Sequence, residues 1–188
     1  MSTLEPSMTR YALSQRLLHW LIALMVLGAL IVGWTLGMLG FNATVETFGK
    51  DMTNLLYKYH KTFGVLILGF MIVRIALKLM LPKPAYAEPL SRFEHIASNA
   101  VHGILYLTLV LMAVVGWLAT GASGFPVEFF NWNLPAILSR DKALGETLFT
   151  LHFLLGVVIT LAVAAHIGGA LKHWLLNKDG VMRRMSLF

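Results

Sequence analysis

The chain has 188 residues, of which 57% are hydrophobic and 13% charged, against a typical charged share of ~25%. Too little charge remains to coat a soluble globule of this size, and intrinsic disorder, which needs low hydrophobicity and high charge, is excluded. With no cysteine, disulfide scaffolds, thiolate metal sites, iron–sulfur clusters and covalently attached c-type haem are excluded as well. Seven histidines remain to be explained.

Four apolar stretches follow one another along the chain. The first has no Asp, Glu, Lys or Arg from Leu17 to Val45 and predicts a helix over about 13–40. It is too long for a signal h-region and lacks a clear small-residue cleavage site, so it is expected to be retained as a helix. The second runs from about Leu55 to Leu81, interrupted by Arg74 and Lys78, and predicts a helix over about 54–81 that stops at Pro82-Lys83-Pro84. The third is charge-free from Ile96 to Val127 and the fourth from Thr147 to Leu171, giving helices over about 93–121 and 146–175. Each supplies the ~20 apolar residues a bilayer span needs. Apolar residues ring each segment, the mark of lipid-facing or deeply buried helices. The short alternating strands of a β-barrel are missing. The expectation is an all-α integral membrane four-helix bundle, one unit over 1–188. The loop from Ala122 to Gly145 carries Phe125, Phe129, Phe130 and Trp132, which suit a membrane-interface belt and a cap over whatever lies between the helices.

Lys and Arg set the expected orientation. With the N-terminus inside, ten basic residues lie on the inner side and five on the outer, which predicts both termini in the cytoplasm. The net charge of +6 then reads as topology and contact with anionic lipid. The basic residues are dispersed around apolar spans, so no nucleic-acid partner is expected. Arg74 and Lys78, late in helix 2, are expected to snorkel to the inner face.

Histidine inside a membrane span is costly and a functional candidate by default. Helix 4 carries His152, His166 and His173, which at ~100° per residue share one face, and His152 and His166 are ~21 Å apart along the axis. His60 starts helix 2 on the outer side, at the depth of His152. His19 starts helix 1 on the inner side, where depth alone leaves both His166 and His173 as partners. His60 and His152 are each followed at the fourth position by glycine, Gly64 and Gly156; a glycine one turn from a ligand clears space for a flat macrocycle, although it also serves as helix-packing glue. Any one of these histidines could equally make an interhelical hydrogen bond. The set, pairing two by two at opposite depths, favours bis-histidine haem b over zinc, which would need further ligands at each site. His95 and His102 read as interfacial hydrogen-bonding groups, and the ten methionines as packing filler.

Further fragments extend the pattern. They are Arg10-Tyr11, Arg16-Leu17-Leu18-His19-Trp20, His60-Lys61-Thr62-Phe63-Gly64, His102 with Leu105-Tyr106, Gly116-Trp117-Leu118, Ala122-Ser123-Gly124-Phe125-Pro126, Ala170-Leu171-Lys172-His173 and Asp179-Gly180-Val181-Met182-Arg183-Arg184-Met185. In this order, with the fourteen-residue histidine spacing, the chain resembles the bacterial cytochrome b561 family from Arg10 to Met185. The resemblance implies a di-haem b cytochrome of the inner membrane. It assigns an inner haem to His19 and His166 and an outer haem to His60 and His152, and leaves His173 as a non-ligand where the family is proposed to meet quinone. Phe153, Ala113 and Lys78 depart from residues common in the family (Glu, Pro and Arg) without touching these four histidines.

The expected function is therefore transmembrane electron transfer through two b haems, linking quinone, with ubiquinone as substrate, to a periplasmic donor or acceptor, superoxide among them. Arg16 and Lys58 or Lys61 are candidate partners for haem propionates, or plain interfacial anchors. His173 is a candidate proton-exchanging group for quinone, with Lys172 adding positive potential; an ordinary interfacial histidine is the competing reading. Two other classes compete. A haem-binding anchor subunit of a dehydrogenase or hydrogenase would need a soluble partner, and related anchors tend to be longer. A haem-free scaffold or transporter is disfavoured by the scarcity of carboxylates within the spans.

Overall fold

A computed structural model describes residues 9–187. Four long helices make the molecule: α1 (Leu13–Phe48), α2 (Lys50–Met80), α3 (Arg92–Ala122) and α4 (Lys142–Leu171). All four are long and apolar enough to cross a membrane, and large apolar side chains such as Leu24, Ile31, Leu107 and Leu161 remain on their outer surfaces. That is the arrangement expected where lipid, not water, is the solvent for the helix exteriors.

The helix ends follow local chemistry. At Gly40 the backbone takes a left-handed φ of 70°, so the expected end of the first span is a break within α1, after which one short helical piece runs on to Phe48. Gly49, at φ 79°, separates α1 from α2. α2 stops before Pro82, whose ring disfavours helix in the residue ahead of it. α3 opens with a reciprocal cap: Glu94 N–H donates to Ser91 Oγ (3.3 Å) while Ser91 N–H donates to Glu94 Oε2 (3.1 Å), which satisfies two amides the helix start leaves free. Asp141 caps α4 by accepting from Leu144 N–H at 3.1 Å. α4 then widens into a π-helical turn over Lys172–Asn177, closed by Lys178 at φ 54°.

Packing is closest between α3 and α4, between α1 and α2, and then between α2 and α3; α1 meets α4 more sparsely. Buried threonines inside the spans spend their hydroxyls on the carbonyl four residues back, as Thr108 does on Ile104 and Thr120 on Gly116, so these hydroxyls are not left bare in the apolar interior. At mid-height Ile22, Val26, Ile67, Met71 and Ile159 form the buried core. The loop after α3, read as an aromatic interface segment and cap, contains a two-stranded antiparallel hairpin, β1 (Val127–Phe129) paired with β2 (Trp132–Leu134). Its corner residue Phe130 is held at φ 53°, and Phe130 N–H donates to Thr62 Oγ1 of α2 at 3.1 Å.

Candidate functional site: two histidine levels and the cleft beside them

The two ends of the bundle each bring imidazoles together. At one end the rings of His60 (α2) and His152 (α4) stand 6.2 Å apart, centre to centre, with planes at 84°. At the other, His19 (α1) and His166 (α4) stand 6.0 Å apart with planes at 81°. These distances are informative. A metal bound by two imidazoles sits ~2 Å from each ligating nitrogen, which adds to a centre-to-centre spacing of about 6 Å once the ring radius is included. Both pairs have that spacing.

The surroundings of the His60–His152 pair suit a bulky planar group. His152 Nδ1 donates to the carbonyl of Met112 on α3 at 3.1 Å, which fixes its tautomer and leaves Nε2 as the lone-pair nitrogen. A cleft between the helices is lined by His60, Gly64, Ile67, Met112, His152 and Ile159. A methyl group placed on Gly64 would meet nothing within 4 Å, and one on Gly156 would only touch the mobile end of Met112 at 3.5 Å. His60 Nδ1 is buried without a hydrogen-bond partner, a cost that a cofactor site can explain. The donor set, the room beside Gly64 and the ring spacing fit a haem.

Two glycines that sequence reasoning passed over position these rings. A Cβ on Gly33 of α1 would lie 3.0 Å from His60 Cε1, and one on Gly116 of α3 would lie 2.8 Å from His152 Cε1. Each histidine leans on backbone where any side chain would push it away. Gly116 stood among the quoted fragments but carried no role; the contact is between distant segments and invisible to local pattern.

The other level differs from expectation in one respect. His102, read as an interfacial group, packs its ring against His166 at 5.1 Å with planes at 81°, and its Nδ1 donates to its own helix at Ser98 O, 2.6 Å away. His95 does stay on the surface, where Asn99 Nδ2 donates to its Nδ1 at 3.1 Å. Arg74, too, has partners within the bundle. It turns into the bundle, donating to Gln15 O at 3.4 Å, with its guanidinium 5.8 Å from the Tyr106 ring centre. Lys78 lies over the same ring at 4.3 Å.

The cations nominated from sequence are engaged within the protein. Arg16 donates to Ser186 O at 2.7 Å, while its Nε is buried and unpartnered. Lys58 donates to Asn131 Oδ1, and Lys61 pairs with Glu128 and donates to Pro126 O, so both lysines fasten the hairpin to the start of α2. Lys172 pairs with Glu94 at 2.8 Å, joining the ends of α3 and α4.

His173 lies apart from both pairs. It lines a cleft of about 960 Å³ with Trp20, Trp174, Lys178, Met182 and Arg183, and its Nδ1 is hydrogen-bonded to Asp179. Burial alone would raise the Asp179 carboxyl, but the bonds it accepts from His173 and from Val181 N–H outweigh this and hold it below the ordinary value of 3.8. Nearby, the buried Arg184 is sandwiched by Tyr86 (3.8 Å) and Tyr11 (5.3 Å) and donates to Pro84 O. Trp20 Nε1 donates to Met185 O at 2.9 Å. The C-terminal segment is thereby folded back beneath the bundle.

Comparison with known proteins agrees with this architecture. The model of the family described as prokaryotic cytochrome b561 matches residues 10–186. Cytochrome b561 homolog 2 of Escherichia coli (strain K12) is 28% identical over 177 residues, covering 94% of this chain and 90% of the relative. A probable superoxide oxidase, CybB, of Yersinia pestis is 24% identical over 179 residues, covering 94% and 95%. With the family model spanning nearly the whole chain and four membrane-length helices carrying the histidines, the chain belongs to the prokaryotic cytochrome b561 family, haem b proteins that carry electrons in the inner membrane.

Proposed function

We propose that this chain holds two b haems, one between His19 and His166 and one between His60 and His152, and passes electrons across the membrane between quinone and a periplasmic partner. The observation that carries the reading is the pair of ring spacings, 6.0 and 6.2 Å, repeated at two levels fourteen residues apart on α4. With the basic residues distributed as they are, the His19 level lies on the cytoplasmic side and the His60 level on the periplasmic side.

When bound, each haem supplies a one-electron redox couple whose potential its ligands and surroundings tune. The chain's own residues do the rest. The α1–α4 and α2–α4 faces would supply the ligating nitrogens, from His19 and His166 and from His60 and His152. Met112 O orients His152, and Gly33 and Gly116 admit the rings. Arg74, drawn into the bundle by the Gln15 carbonyl, is the cation best placed to offset negative charge at the His19 level. The cleft at His173 takes quinone in this reading. Its two indoles offer flat apolar walls, and His173 offers a ring nitrogen whose partner nitrogen is tied to Asp179, an arrangement suited to proton exchange. Lys172, paired with Glu94, acts as a clasp between helix ends.

On the periplasmic side the donor or acceptor is a small oxyanion such as superoxide, as the printed name of the Yersinia pestis relative suggests for that protein, or a redox protein. The test is haem quantitation with reduced-minus-oxidised spectra on the wild type and on four His→Ala variants. Two haems per chain are expected. Losses at His19 and His166 should coincide, as should losses at His60 and His152. Loss of a haem in His173→Ala with retention in His166→Ala would overturn the pairing. Reduction by a superoxide pulse, followed by reoxidation with ubiquinone, separates the oxyanion from a protein donor.

A further inference from the structure

The cleft at His173 carries a charge imbalance that a neutral ring does not use. Lys178 and Arg183 line it, and among the described residues no carboxylate does. Three other lysines find carboxylates: Lys61 with Glu128, Lys142 with Glu146 and Lys172 with Glu94. Lys178 and Arg183 are exposed, and their side chains make no ion pair or hydrogen bond among the described residues. We propose that this cleft is a site for ionised planar rings, the hydroxyquinone anions and related ring acids. Lys178 and Arg183 hold the negative oxygen, and Trp20 and Trp174 are the walls that take the ring. The proposal rests on the quinone reading of the cleft, which it narrows to the charged members of that class.

The backbone sets this arrangement without help from a ligand. α4 widens into its π turn at Lys172–Asn177, Lys178 N–H donates to His173 O at 2.8 Å, and Lys178 takes φ 54°. That turn brings His173, Trp174 and Lys178 to one cleft. Three successive carbonyls of the returning segment are tied to α1 and the residues before it. Arg184 O accepts from Tyr11 N–H at 3.1 Å, Met185 O from Trp20 Nε1 at 2.9 Å and Ser186 O from Arg16 at 2.7 Å. Arg183 stands at the head of that tied run, and Trp20 is both tie and wall. Groups held in place in this way lose little freedom on binding. The carboxylates close by are already engaged. Buried Asp179 accepts from His173, from Asn177 Nδ2 (3.4 Å) and from Val181 N–H (3.1 Å), and Glu94 is shared by Lys172 and Asn177. With His173 neutral, Lys178, Arg183 and Asp179 leave a net positive charge, and a protonated His173 adds to it. A neutral quinone leaves both lining cations without a partner. An ionised ring gains charge-assisted hydrogen bonds, roughly twice as strong as neutral ones, and apolar walls weaken them less than open water does.

The test is isothermal titration calorimetry on the purified, haem-loaded protein in a neutral detergent, at neutral pH and low salt. Lawsone, a hydroxynaphthoquinone ionised under these conditions, is compared with its neutral methyl ether, which has the same ring. Lawsone should bind about tenfold more tightly, ~1.4 kcal/mol, and a short-chain ubiquinone should displace it. Added salt should shrink the difference. Lys178→Gln and Arg183→Gln should each lower the preference severalfold, the double variant should abolish it, and the ether should bind all of them alike. Lys178→Arg, which keeps the charge, should retain it. Equal affinity of the two compounds in the wild type, or a preference that survives in the double variant, would overturn the proposal. So would a preference lost as fully in Lys178→Arg as in Lys178→Gln, because the site would then not be reading charge. If neither naphthoquinone nor ubiquinone binds, the quinone reading of the cleft falls instead.

Discussion

The close approach of Gly116 to His152 makes the smallest possible side-chain addition a sharp test. In Gly116→Ala the new methyl carbon would lie 2.8 Å from His152 Cε1 and 3.1 Å from Nδ1. Unstrained carbon–carbon contact begins at ~3.5 Å, so about 0.7 Å must be absorbed. Neither side yields easily: the methyl is fixed to the α3 backbone, and His152 is tied to Met112 O on the same helix. Overpacking of this kind costs about 1–3 kcal/mol. If the ring gives way, that energy appears as loss of haem at the His60–His152 level, roughly 5- to 150-fold in affinity. Gly156→Ala is the matched control, since its methyl would meet only the flexible Met112 Cε at 3.5 Å. The assay is haem content per chain after detergent purification, with redox titration to identify the missing component. One haem lost or weakened in Gly116→Ala, and two kept in Gly156→Ala, is the expected result. Full occupancy with an unshifted potential in Gly116→Ala, or equal damage in the two variants, refutes the reasoning.

Other perturbations separate fold from cofactor. Because the side-chain direction of Gly64 is open within 4 Å, Gly64→Leu should leave helix content and detergent-solubilised stability near wild type while depleting haem at the same level; circular dichroism with haem quantitation reads both. Thr62→Val leaves the Phe130 amide without its acceptor at a cost of about 1–3 kcal/mol, and should speed amide exchange in 127–134 while leaving the His19–His166 level untouched. Asp179 titrates lower in the folded protein than its ordinary 3.8, so the unfolded chain binds the proton more readily and the stabilisation is fully present above that value. It drains away as pH falls through the folded value. Thermal melts of wild type and Asp179→Asn should therefore differ by a constant amount from neutral pH down to the ordinary carboxylate range and converge below it; a gap that widens in acid would contradict the sign.

Much of the frame was legible because bilayer spans are written locally. Four charge-poor stretches mark four helices, and the interval between His152 and His166 is close to a whole number of turns, so both face the same way whatever surrounds them. What stayed hidden involves pairs of distant segments. Gly33 and Gly116 matter only because His60 and His152 arrive beside them. Nothing in the stretch around Arg74 announces the Gln15 carbonyl and Tyr106 ring that it meets. His102 gave no sign of His166 because the two lie on different helices. The small hairpin escaped notice for another reason. Its strands are three residues each, too short for alternation to register, and it is held by Lys61, Thr62 and Glu128 rather than by a core of its own.

The apolar layer at mid-height has a bioenergetic consequence. Met71 and Ile159, 2% and 1% exposed, close the interior between the two histidine levels together with Ile22, Val26 and Ile67. Electrons tunnel through hydrocarbon, but protons need a relay of polar groups or water, and this buried cluster supplies none. If the two levels hold haems as proposed, an electron that passes from one to the other leaves its proton behind, and such a passage moves net charge through the low-dielectric part of the membrane, aided or opposed by the membrane potential by ~2.3 kcal/mol per 100 mV for a full crossing.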